Sequence, residues 1–170
     1  MPLQATQVHK EISFRLNGAE TVVSADPDTA LLTLLRGPLG LMGSRFGCGS
    51  GACGACNVLL DDRAVTSCDL LIWSIAGKSV VTVEGLGGPA APHALQSAFI
   101  AEQAMQCGYC VSGVLIAAAA LLADNKSPTE AEVRAGLDRN LCRCGAHNRM
   151  VRAVLRAAAG GAPAADGAKA

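Results

Sequence analysis

The sequence has no surplus of charge: Lys and Arg total 14, Asp and Glu total 14, and the formal net charge is zero over 170 residues. That balance excludes nucleic acid as an expected partner, because phosphate binding draws on a basic surplus. Long hydrophobic runs are also missing. The longest, Val111 to Ala123, has 13 residues, short of the roughly 20 needed to span a bilayer. No basic start followed by an apolar run opens the chain, so a secretory leader is not expected and the cytoplasm is. Aromatics are scarce at 3% and charged residues at 16%, yet hydrophobic residues reach 51%. A buried core is therefore within reach, and general disorder is excluded. The length suits one compact domain or two small ones.

What the chain does have is glycine (19) and cysteine (8). Eight cysteines in 170 residues fall below the roughly 8–10% of a disulfide scaffold. In a reducing compartment, grouped cysteines more often bind metal or carry redox chemistry. They form two groups: Cys48, Cys53, Cys56 and Cys68, then Cys107, Cys110, Cys142 and Cys144. The first group opens with the C-x4-C-x2-C spacing of plant-type [2Fe–2S] proteins, with a fourth cysteine further along. Gly47, Gly49, Gly51 and Gly54 are expected to take positive φ and bring backbone N–H groups near the sulfurs. Zinc would more often use two short knuckles without the alternating glycines, so iron–sulfur is the preferred reading. Taken alone, the second group leaves two readings. Cys107-Gly-Tyr-Cys110 before a helix fits a thiol–disulfide redox site, while the added pair Cys142 and Cys144 before another helix fits a four-thiolate metal site. Haem attachment is excluded, because no C-x-x-C-H is present.

The pattern along the chain predicts an α+β protein. Residues 9–24 read as a hairpin with Asn17-Gly18 at its turn, and Asp28 is expected to cap a short helix through Leu35. Asn57–Leu60 and Val65–Cys68 read as a second hairpin around Asp61-Asp62, and Val80–Val83 as a last strand. Gly85-Leu86-Gly87-Gly88-Pro89 marks a boundary between domains 1–86 and 87–158. Four helices follow. The first carries Leu95, Ala98 and Phe99; the second Val111, Val114, Leu115, Ala118 and Leu122. In the third, Ser127-Pro128-Thr129-Glu130 reads as a capping box, with Val133, Leu137 and Leu141 recurring inward. The fourth turns Val151, Val154, Leu155 and Ala158 inward and leaves Arg149, Arg152 and Arg156 on a solvated face. Residues 159–170 read as a flexible tail. Both cysteine pairs of the second group precede helices, whose free N–H groups and dipoles favour an anionic centre.

Gly47-Cys48 through Cys56, Val83-Glu84-Gly85-Leu86, Gln106-Cys107-Gly-Tyr-Cys110 and Asn140-Leu-Cys142-Arg-Cys144-Gly145 together resemble the iron–sulfur small subunits of the xanthine oxidase family of molybdenum hydroxylases. Within that family the likeness is strongest to the nicotinate and isoquinoline-type N-heterocycle dehydrogenases, through stretches such as Ala91-Pro92-His93-Ala94-Leu95-Gln96. The resemblance implies a ferredoxin-like β-grasp domain followed by a four-helix bundle, each holding a [2Fe–2S] cluster. It makes Cys48, Cys53, Cys56 and Cys68 ligands of an outer cluster, and Cys107, Cys110, Cys142 and Cys144 ligands of an inner one. Gln106 and Cys144 would contact the pterin of a molybdopterin cofactor held mainly by a large partner subunit. A flavin subunit or a cytochrome would take the electrons, and any membrane association would come through partners. No catalytic residue is expected in this chain. The alternatives are a free-standing ferredoxin-type carrier and the small subunit of an aldehyde or CO dehydrogenase. Many relatives have Gly-Tyr where this chain has Ala146-His147, and His147 reads as a structural or interface residue.

Overall fold

A computed structural model describes residues 9–160 as a mixed α+β molecule, with a five-stranded sheet followed by a mainly helical half. Strands β1 (Lys10–Leu16) and β2 (Ala19–Ala25) pair antiparallel around Asn17 and Gly18, at φ of 49° and 86°. Two positive φ values give the turn a twist that matches the strands it joins. Alternation along β1 sends Ile12 and Phe14 into the core. β3 (Asn57–Leu60) and β4 (Arg63–Thr66) form the second hairpin, where Asp61 and Asp62 hold positive φ without glycine. The Asp61 carboxylate accepts from the Ser79 N–H at 2.9 Å and ties that turn to β5 (Ser79–Val81). β5 runs parallel to β1 and antiparallel to β3, giving the order β2-β1-β5-β3-β4. The strand expected over Val80–Val83 ends at Val81, and Val83–Leu86 is a helical turn, α2, after α1 (Leu31–Arg36).

One core lies between the sheet and α1: Ile12, Phe14, Val58, Ile72, Ile75 and Val80 close over Leu31, Leu34 and Leu35. Asp28 does not cap α1. Its N-cap is Ala30, and the N–H groups of Leu31 and Leu32 donate to Leu70 O (2.7 Å) and Ser67 O (2.9 Å). A tertiary backbone partner thus does what a capping side chain would do.

The second core gathers α3 (Ala94–Ala101), α4 (Val111–Asp124), α5 (Glu130–Gly136) and α6 (His147–Ala158) around Leu95, Phe99, Val114, Val133, Met150 and Val154. The α5 cap falls two residues later than the sequence pattern suggests. Thr129 is the cap and Glu132 its partner: Glu132 N–H donates to Thr129 Oγ1 (3.3 Å) and Thr129 N–H to the Glu132 carboxylate (2.7 Å). Pro128 stays outside the helix. α5 also stops at Gly136, so the fourfold recurrence fails at Leu141, which is 63% exposed. Its N–H is drawn to Cys53 O (3.0 Å) in the other half of the molecule. On α6, Leu155 and Ala158 are half-buried, while Met150 and Ala153 take inner positions. Arg152 and Arg156, expected to face solvent alone, both reach Glu102 at the end of α3 (3.3 Å each).

α4 joins the two cores. Its burial is continuous from Gly113 to Ala118 rather than a stripe, because its far face lies on β3. The approach is close: a Cβ on Gly113 would run into Gly54 O, and Asn57 Nδ2 donates to Gly113 O at 3.5 Å. Among the described residues no helix is long and apolar enough to cross a membrane.

Candidate metal centres

The loop between α1 and β3 carries the first three cysteines. Two side chains hold its approach: Arg36 donates to Met42 O (2.9 Å) and Ser44 O (2.7 Å), and Glu84 accepts from the Gly43 N–H (2.7 Å). Glu84 lies in the Val83–Leu86 motif, but sequence reasoning assigns neither residue a task. Gly49, Gly51 and Gly54 take positive φ as expected; Gly47 does not. Gly47 answers a different demand, since a Cβ there would sit 2.6 Å from Cys53 Sγ. The folded loop turns the N–H groups of Ser50 and Ala52 onto Cys48 Sγ at 3.4 and 3.3 Å. Those donors, Ser50 foremost, bring the exposed Cys48 thiol down to about 6, helped by the neighbouring Cys53 thiol. Cys68, at the end of the second hairpin, faces Cys56. Burial pushes it up to about 11 against the pull of the Gly51 N–H.

The second group comes together from the loops before α4 and α6. Cys144 Sγ lies 3.5 Å from Cys107 Sγ, and Cys110 faces Cys142. Burial, then the Cys142 thiol, pushes Cys110 up to about 12. Cys107 is lowered by the Tyr109 N–H and by Cys144. Burial works against Cys142, yet N–H groups from Ala146, Cys144 and Gly145, with the Cys110 thiol, bring it down. Ala146 is the α6 cap and Cys110 the α4 cap, so both helix starts border this group. Gln106, next to it, is exposed.

All eight thiols are free. The structure sets them as pairs: Cys48 with Cys53, Cys56 with Cys68, Cys107 with Cys144, and Cys110 with Cys142. Among the described residues no three His, Cys, Asp or Glu side chains converge as a single-ion site. A tetrahedral zinc needs its four ligands on one point, whereas a two-iron cluster takes two thiolates on each metal. The donor set, soft sulfur pairs ringed by N–H groups, fits the latter. The two groups are also tied to each other. Tyr109 Oη donates to Phe46 O (2.5 Å) beneath the Arg45 guanidinium, 5.9 Å from the ring, and Arg139 donates to Gly51 O (3.2 Å). No spacing in the sequence signals these links, because each joins residues more than sixty positions apart.

Comparison with known proteins agrees with this arrangement. Residues 14–79 match the family described as 2Fe-2S iron-sulfur cluster binding domain, and residues 82–155 match the [2Fe-2S] binding domain. A nicotinate dehydrogenase subunit of Pseudomonas putida is 50% identical over 147 residues, covering 86% of this chain and 94% of its own length. The alpha subunit of isoquinoline 1-oxidoreductase from Brevundimonas diminuta is 47% identical over 148 residues, covering 86% and 97%. The crystal structure of quinoline 2-oxidoreductase from Pseudomonas putida 86 superposes with a TM-score of 0.86 at 37% identity, over 91% of this chain and 96% of that one. The chain belongs to the small [2Fe–2S] subunits of the molybdenum hydroxylases.

Proposed function

We propose that this chain is the electron-transfer subunit of a molybdenum-containing hydroxylase whose substrate is an N-heteroaromatic such as nicotinate. It receives electrons from a molybdopterin cofactor that a large partner subunit holds, and delivers them to a flavin subunit or a cytochrome. When bound, each [2Fe–2S] cluster supplies one-electron redox chemistry. Cys48, Cys53, Cys56 and Cys68 hold the outer cluster; Cys107, Cys110, Cys142 and Cys144 hold the inner one. Each sulfur pair would supply the two thiolates of one iron. Backbone N–H groups of Ser50, Ala52, Gly51, Tyr109 and Ala146 stabilise charge on those sulfurs and so raise both reduction potentials. Gln106 and Cys144 face the pterin. Residues 1–86 form a ferredoxin-like β-grasp domain and residues 87–158 a four-helix bundle domain. The assembly works in the cytoplasm.

The observation that supports this reading most is the meeting of two four-thiol groups across a contact built by Tyr109 on Phe46 O, Arg139 on Gly51 O and the Leu141 N–H on Cys53 O. A diffusible one-cluster carrier needs neither the second group nor the contact. Purified protein is expected to hold four irons and four acid-labile sulfides per chain, with two distinguishable [2Fe–2S] spectra on reduction. Cys53→Ser should erase one spectrum and spare the other. Stoichiometric zinc after anaerobic purification would sink the proposal.

A further inference from the structure

His147 is the residue that the sequence marks as unusual and that the ligand sets leave without a task. In the structure it is the first residue of α6, and its ring Nε2 lies 2.9 Å from Asn140 O. A carbonyl can only accept, so Nε2 carries the proton and donates. The bond closes the stretch from Asn140 to His147, which contains Cys142 and Cys144. Asn140 is itself 3% exposed, and its side-chain Nδ2 donates across to Gly54 O at 3.3 Å. The next residue, Leu141, donates its N–H to Cys53 O at 3.0 Å. A Cβ on Gly54 would lie 2.5 Å from Asn140 Nδ2 and 2.9 Å from the Arg139 carbonyl oxygen, so the approach leaves no room for a side chain at Gly54. The loop bearing half of one thiol group is thus closed by His147 and seated by Asn140 on the backbone of the other.

We propose that Asn140 and His147 form a clasp that positions the Cys142–Cys144 loop against Cys53 and Gly54, with His147 a positioning residue for the two centres rather than a ligand of either. The inference rests on the two-cluster reading above. Holding ligands in place through hydrogen bonds from residues behind them is a general need of metal sites, and looseness there alters the centre's electronics or weakens its retention. A residue that only fills space would act through bulk alone.

The test uses the purified complex with His147→Phe, which keeps a ring without a donor, and His147→Gln, which keeps an N–H donor. Two readouts serve: the magnetic splitting between the two reduced [2Fe–2S] signals, and deuterium exchange at the Leu141 amide. His147→Phe is expected to keep both signals, change their splitting, and speed Leu141 exchange about fivefold, the equivalent of one hydrogen bond of about 1 kcal/mol. His147→Gln should restore both readouts toward wild type. Selective loss of the inner signal in His147→Phe, restored in His147→Gln, would equally support the clasp, because the loop carries two inner ligands. Unchanged splitting and exchange in His147→Phe would overturn it. So would loss of both signals in both variants, which marks a general packing role. Absence of two signals in the wild type would instead refute the two-cluster reading itself.

Discussion

One residue type, cysteine, occurs here in very different proton environments. Cys48 is down at about 6 through N–H donation from Ser50 and Ala52, while burial holds Cys110 up at about 12. Iron binds thiolates, so loading this chain must release protons, and release is harder for Cys68 and Cys110, the two thiols that burial raises. The first four thiols were legible from spacing as an iron–sulfur set, while the second four were settled as ligands only by the family resemblance. Gln106 was legible only through family resemblance, and the structure adds that its side chain is exposed beside Cys107. If its amide meets pterin groups, Gln106→Leu leaves those groups unpaired, costing roughly 1–3 kcal/mol. Both cluster spectra are then expected to survive, with less molybdenum retained per complex or slower reduction of the clusters by substrate. Metal analysis and stopped-flow reduction check this. Unchanged molybdenum content and unchanged rates would reject the role and leave the iron–sulfur assignment standing.

At the scale of elements, the types of the main strands and of the four helices of the second half followed from periodicity, but the helical turn at Val83–Leu86 and several ends did not. The α5 start shows why. Ser127 and Thr129 are both capping residues, and each has a Glu three residues on. Thr129 wins, with Pro128 buried just before it. Thr129→Ala is expected to lower stability by about 1 kcal/mol. The Glu132 carboxyl is held below its ordinary value of 4.5 by the N–H and hydroxyl of Thr129. A depressed folded pKa contributes stability that is full above the ordinary value and is lost as pH falls through the lowered one. Thermal melts from about pH 7 down to about pH 4 should therefore show the gap between wild type and Thr129→Ala shrink only at the acid end. A gap that widens on acidification would contradict the cap.

For the whole molecule, the decisive contact is α4 against the first cysteine loop. Gly113 would be an ordinary weak point on an isolated helix, where alanine gains roughly 0.5–1 kcal/mol. Here its Cβ would meet the Gly54 carbonyl, a backbone atom that cannot swing aside. Overpacking of that kind costs typically about 1–3 kcal/mol, so the clash outweighs the helix gain. Gly113→Ala is expected to lower the unfolding midpoint and to disturb the outer-cluster spectrum through the loop it pushes. A raised midpoint would show that the two halves are not held together at this point.

By itself the sequence determined the chemistry and the inventory: two sets of four thiols, a strand-rich first half, a helical second half, and the family. Those depend on local properties, namely ligand spacing, turn-forming dipeptides and the period of apolar residues. Only the tertiary structure decided how the sets relate. The pairing of Cys107 with Cys144, the turn of Leu141 outward to Cys53, and the junction of Gly113 with Gly54 all join segments that local pattern treats as separate. Backbone groups freed where a helix stops must find partners, and which carbonyl is near enough depends on the packing of both cores at once.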